Sequence, residues 1–149
     1  MAGFTLAELV MVLVLVGLLS VVALPRFSGT SEFRNIAFRD EVAAALRYAQ
    51  KSAVSHRRLV CAAFTASSVT LHIAATNPAA ACGSSTLNSP DGKTAFAQAG
   101  SDLMANDIPT IHFQPSGVAT SAAGVVMNHV INISGASPVT VVGATGHVD

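Results

Sequence analysis

The stretch GFTLAELVMVLVLVGLLSVVALPRF, residues 3–27, decides how the rest of the chain is read. Phe4 to Leu24 is a 21-residue run broken only by Glu8 and the weakly polar Thr5 and Ser20. About 20 apolar residues in helical form span a hydrocarbon core, so the run predicts a helix held in lipid or in a bundle of like helices. A secretory signal peptide is the rival reading, and it fails on three counts. No basic segment precedes the run, Glu8 lies inside it, and Ala23-Leu24-Pro25-Arg26 follows where a small-x-small cleavage site belongs.

Working outward, Pro25 removes one helical hydrogen bond and kinks a helix without having to end it. Beyond it Phe33, Ile36, Ala37, Val42, Ala45, Leu46, Ala49 and Ala53 recur at helical steps, while Glu32, Arg39, Arg47 and Lys51 fall largely elsewhere on the wheel. That pattern predicts an amphipathic helix with one buried stripe, ending near Ser55. From Phe4 to Ser55 such a helix is about 75–80 Å long. A small globular domain cannot bury that length, so half of it must protrude.

From Leu59 onward β-branched stretches alternate with Gly, Ser, Asn and Pro. They predict strands at 59–65, 69–74, 94–98, 109–113, 124–127, 130–134, 139–143 and 146–148, with a loop from Thr76 to Lys93. Strands of this length and spacing predict antiparallel sheets, two of them packed together. The fold class expected is therefore α+β: a long N-terminal helix, its first half membrane-spanning and its second half amphipathic, packed on a small antiparallel β-sandwich head.

Composition agrees with a chain that is partly out of water. Charged residues make up 11%, against about 25% in soluble domains. From Met1 to Leu24 the one ionisable side chain is Glu8; seven basic and three acidic residues follow up to Arg58, and beyond Leu59 one lysine faces four aspartates. Positive charge after an apolar run ordinarily marks the cytoplasmic side. The N-terminal motif overrides that rule here.

The two cysteines are Cys61 and Cys82. If the part beyond Leu59 is exported, a disulfide between them is the default, worth roughly 3 kcal/mol for a loop of about twenty residues. The alternative is a pair of free buried thiols. The five histidines show no ligand spacing, and no metal or other cofactor is expected.

The N-terminal residues resemble the class III signal of type IV prepilins and of the pseudopilins of type II secretion. The matches are Gly3 before the cleaved bond, Phe4 as the new N-terminus, Thr5, Leu6, Glu8 as the fifth mature residue, Gly17 and Pro25. The resemblance implies four segments: a leader at 1–3, a transmembrane and filament-core helix at 4–24, an amphipathic helix at 25–57 and a β-rich head at 58–149. It implies cleavage after Gly3 by a membrane prepilin peptidase, which then N-methylates Phe4. Glycine suits a peptidase cleft that must approach the bond closely. By the same resemblance, Glu8 pairs with the Phe4 amine of a neighbouring subunit as the filament assembles, because a carboxylate in lipid is costly until it is paired. The alternative is a carboxylate that snorkels to the interface. Gly17 and Pro25 are the expected flex points. The implied partners are the peptidase, other pilin subunits and the inner membrane. The implied location is a single pass with the head in the periplasm, then the filament.

FRDEVAAALRYAQKSAVSHRRLVCAAF, LHIAATNPAAAC and IHFQPSGVA resemble minor pilins of the group that holds the H-type minor pseudopilin and the minor pilin of mannose-sensitive haemagglutinin pili, the latter more closely. The function implied is a minor structural subunit that primes assembly or sits at the tip. A minor pseudopilin of type II secretion is the first alternative. A tip adhesin or DNA-uptake receptor is the second, and an anchored enzyme the third. The tail GATGHVD has no Lys or Arg and the head is net negative, which argues against nucleic acid. No GxSxG, HExxH or P-loop pattern appears, so no enzyme is expected. Asp91, Asp102 and Asp107 lack EF-hand spacing and are read as solvated loop acids.

Overall fold

Thr5 starts the first helix. The Glu8 N–H donates to its carbonyl at 3.1 Å and to its Oγ1 at 3.3 Å, and the Leu9 N–H donates to the same carbonyl. This is the Thr-x-x-Glu order of a capping box, with an acid three residues past the cap. The computed structural model describes residues 5–23 and 30–149. Gly3, Phe4 and Pro25 lie outside the described residues, and the expected kink at Pro25 with them. Helix α1 runs Leu6–Ala23. Its Val, Leu and Met side chains lie on every side, so it has neither an apolar stripe nor a polar face. Ser20 returns its hydroxyl to the Val16 carbonyl at 2.7 Å, which satisfies it inside the helix. At 18 residues, α1 is about 27 Å long, somewhat under the ~30 Å of a hydrocarbon core. Among the described residues no helix is long and apolar enough to cross a membrane.

The chain divides into two compact units, Met1–Phe33 and Arg34–Asp149. In the second, helix α2 (Thr30–His56) supplies Phe38, Val42, Ala45, Leu46, Ala49 and Ala53 to the core. The predicted stripe is buried only from this point. Ile36 and Ala37 are exposed, because the core takes residues of α2 from Phe38 onward. The helix ends one residue beyond the expected Ser55. Arg57 turns into the left-handed region at φ 52°, and the Arg58 N–H reaches back to the Ala53 carbonyl at 3.1 Å. That is a Schellman ending with arginine where glycine is usual.

Seven strands follow: β1 (Val60–Phe64), β2 (Ser68–Ile73), β3 (Ala95–Gln98), β4 (Ile111–Phe113), β5 (Ala119–Thr120), β6 (His129–Ile131) and β7 (Val139–Val141). Five form an antiparallel sheet in the order β3-β2-β1-β4-β5, and β6 and β7 form a two-stranded one. Strand alternation places Val60, Ala62, Val69, Leu71, Ile111 and Phe113 in one core with the α2 stripe and with Ile131, Val139 and Val141. The α+β class and the antiparallel sheets agree with expectation. Face-to-face packing of two sheets is not shown; α2 and residues of β6 and β7 share the core with the larger sheet.

Three local expectations are corrected. The strands predicted at 124–127 and 146–148 reduce to single bridges, Thr120↔Val126 and Val141↔Val148. β5, inside a stretch of Gly, Ala and Ser, has no strand signal of its own and forms because β4 pairs it through His112↔Thr120 and Phe113↔Ala119. The loop after β2 is partly ladder: the Ile73 N–H donates to Ser85 and the Leu87 N–H to Leu71.

The C-terminal segment is tied back to α2. Arg47 Nε and Nη2 donate to the Val148 carbonyl at 3.3 and 3.2 Å, and Gln50 Nε2 donates to the Thr145 carbonyl at 2.7 Å. Gly143 fits only without a side chain, since a Cβ there meets the Met127 backbone at 2.5–2.7 Å.

Leu46→Ala is expected to cost about 2–5 kcal/mol, because Leu46 is fully buried between α2 and the sheets. Urea unfolding would measure it. A loss below about 1 kcal/mol would show that α2 is not part of the core.

Candidate functional site

The N-terminal helix carries the first candidate site. The capping interaction at Thr5 fixes where α1 begins and puts Glu8 in its first turn. An acid there is favoured by the helix dipole. Its carboxylate is exposed and has no hydrogen-bond or ion-pair partner among the described residues. Glu8 therefore has a local role that the reading from sequence passed over, although Thr5-x-x-Glu8 before an apolar run is itself a capping-box signal. Gly17 lies inside continuous helix, and a Cβ there would meet nothing within 4 Å. Among the described residues no packing requires glycine at that position, and glycine in a helix interior costs about 1 kcal/mol. Leu6, Leu13 and Leu19 are 84%, 63% and 68% exposed. The helix thus presents an apolar surface with, near its start, one carboxylate that has no partner among the described residues.

The second site is the sulfur pair. Cys61 and Cys82 are disulfide-bonded, with Cα atoms 6.0 Å apart. Cys61 points to the face of β1 away from the main core, into a small cluster with Leu59, Ala74 and Cys82. The bond fastens the loop after β2 over that face. His72 and His112 stand opposite Cys61 on the two neighbouring strands. Among the described residues no group of His, Cys, Asp and Glu is placed to hold a metal ion.

The remaining charged candidates are local. Lys93 Nζ lies 2.8 Å from Asp91 Oδ2, and the Ser89 hydroxyl also donates to Asp91. Lys93 first, then Ser89, bring the Asp91 carboxyl from 3.8 down to about 2. Asp102 and Asp107 are exposed and stand apart from any such group. Arg47, at the junction of helix and head, spends its guanidinium on Val148. Burial pushes the His112 imidazole below 6.5, and it does the same to His129 against an opposing hydrogen bond to the Thr120 backbone carbonyl.

Comparison of the chain with protein-family models, curated proteins and solved structures finds no match in any of the three.

Two predictions follow from this geometry. Replacing both cysteines by alanine is expected to lower stability by about 3 kcal/mol, the cost of freeing a loop of this size. Thermal unfolding with and without reductant would give the same difference, and an unchanged midpoint would show that the bond is not formed in solution. For the histidines the sign is fixed by linkage. The unfolded chain binds protons at His112 and His129 near 6.5 and the folded chain only at lower pH. Their contribution is complete above pH 6.5 and is lost as pH falls below it. Unfolding free energy should therefore decline from pH 7.5 to pH 5, and a flat profile over that window would contradict the assigned burial.

Proposed function

We propose that this chain is a minor structural subunit of a type IV pilus or a related filament, made as a prepilin and held in the inner membrane before assembly. The observation that carries the reading is α1. It is an 18-residue helix, apolar on every side, with its side chains exposed and one carboxylate that has no partner among the described residues. Such a surface is stable only when lipid or other apolar helices cover it. The run from Phe4 to Leu24 is longer than the described helix and has the length of a span. The residues around it, Gly3, Phe4 and Glu8, have the order of the class III signal. An amine freed at Phe4 of one subunit is then the partner that the Glu8 of its neighbour lacks, and lipid makes that pairing matter. Gly17, which no contact among the described residues requires, leaves room for a neighbouring helix or for bending.

The β-rich unit is, in this reading, the periplasmic head, where a disulfide is chemically at home. Nucleic acid is not the partner in this reading, which the lack of Lys and Arg in the tail and the engagement of Arg47 with Val148 support.

The reading is tested by co-expressing the full-length chain with a prepilin peptidase and measuring the intact mass of the membrane-extracted product. The mass should correspond to loss of Met1–Gly3 and gain of one methyl group; an uncleaved chain would sink the proposal. Glu8→Val should still be inserted and cleaved, yet enter filaments at least about tenfold less well, since it removes one partner of a buried pair. Filament yield by immunoblot of sheared fractions reads this directly.

A further inference from the structure

A cleft of about 570 Å³ lies in the second unit beside β3, lined by Glu41 of α2, Asp91, Lys93, Phe96 and Gln98. β3 is the terminal strand of the five-stranded sheet, so one of its edges has no partner strand. The Ala99 N–H donates to the Ser67 carbonyl at 2.8 Å, and Gln98 stands opposite Ser68. Alternation in an antiparallel pair then turns the backbone N–H and C=O of Gln98 away from β2 and toward the open edge. The register slips between Val69 and Thr70, which leaves Phe96 with no residue opposite it. Its ring meets Tyr48 at 5.2 Å and helps line the cleft. β3 itself, Ala95-Phe96-Ala97-Gln98, contains no proline and no charge, two of the devices that ordinarily block an edge. Its four residues admit only a short guest strand.

We infer that the edge of β3 accepts a short extended peptide from a partner protein, which adds as a sixth strand and places a basic side chain in the cleft. The backbone of Gln98 supplies the strand-like hydrogen bonds, and Phe96 gives an apolar side chain a surface to rest on. The charges select the guest. Lys93 is already paired with Asp91, whereas Glu41 makes no ion pair or hydrogen bond among the described residues and only reaches Lys93 through its field. The cleft is therefore net negative, and a lysine or arginine on the guest would complete it. This inference does not depend on the filament reading, and it would stand if the chain were never cleaved.

The test uses the full chain in detergent micelles, labelled with ¹⁵N, and a pool of capped pentapeptides alternating Val and Thr around a central Arg. At up to about 1 mM peptide, the weak end of specific binding, the amide signals of Phe96, Gln98 and Ala99 should shift in a saturable way. A pool with Glu in place of the Arg should bind less well. Gln98→Pro removes the outward N–H without breaking the ladder to β2, so it should leave the thermal midpoint nearly unchanged and abolish the shifts. Glu41→Gln should weaken the Arg pool about two- to fivefold, the size of one exposed ion pair. No shift with either pool, or shifts that persist in Gln98→Pro, would overturn the proposal. So would movement of the same amides with protein concentration alone, which would assign the edge to a second copy of the chain.

Discussion

The second unit depends on one packing contact, the small-residue stripe of α2 against the strands. Val42, Ala45, Leu46, Ala49 and Ala53 are all fully buried, and they join a core that draws on both sheets. Alanine at three of these positions keeps the helix surface low, so strand side chains such as Leu71, Ile111 and Phe113 can approach it closely. Neither sheet could keep that face dry alone, since a sheet with one apolar face must bury it against another element. The two-stranded sheet in particular is marginal without such support.

Two ties then restrict the parts that this packing does not reach. The disulfide holds the loop after β2 over the outer face of β1, where Leu59, Cys61, Ala74 and Cys82 make a second, smaller cluster. Arg47 and Gln50, one turn apart on α2, hold the last residues through backbone carbonyls. These polar arms leave from the flank of the same helix whose apolar stripe forms the core. One helix thus organises both the interior and the C-terminus. The same arrangement occupies the guanidinium that a reading of charge alone would have offered to a ligand.

The N-terminal unit follows the opposite logic. Its helix is set at the start by Thr5 and Glu8 and makes no use of an amphipathic pattern; an all-round apolar surface is the form that suits lipid or like helices rather than a sheet. An apolar helix with exposed side chains implies an environment. The carboxylate at Glu8 limits which environments suit, since it calls for a positive partner wherever water is absent.

Much of this was legible in the sequence. The length and purity of the apolar run, the isolated Glu8, the helical spacing from Val42 to Ala53 and the alternation in β1, β2, β4 and β7 are local patterns, and local patterns follow from the geometry of a single helix or strand. Even the cysteine pair could be stated, there being two. Tertiary structure decided the rest. The spacing of Phe33, Ile36 and Ala37 fits the stripe, yet burial of α2 begins at Phe38, because periodicity says which face is apolar and not how far the core extends along it. β5 exists only because Phe113 and His112 offer it a ladder, and 124–127 stops at one bridge despite its β-branched residues. The grip of Arg47 on Val148, 101 residues away, has no signal in the sequence, since a hydrogen bond to a backbone carbonyl is indifferent to the residue that carries it. The order of residues determined the two helices and the strands with their own alternation; β5, which edge stays open and which cation is already spent were settled only when distant segments were brought into contact.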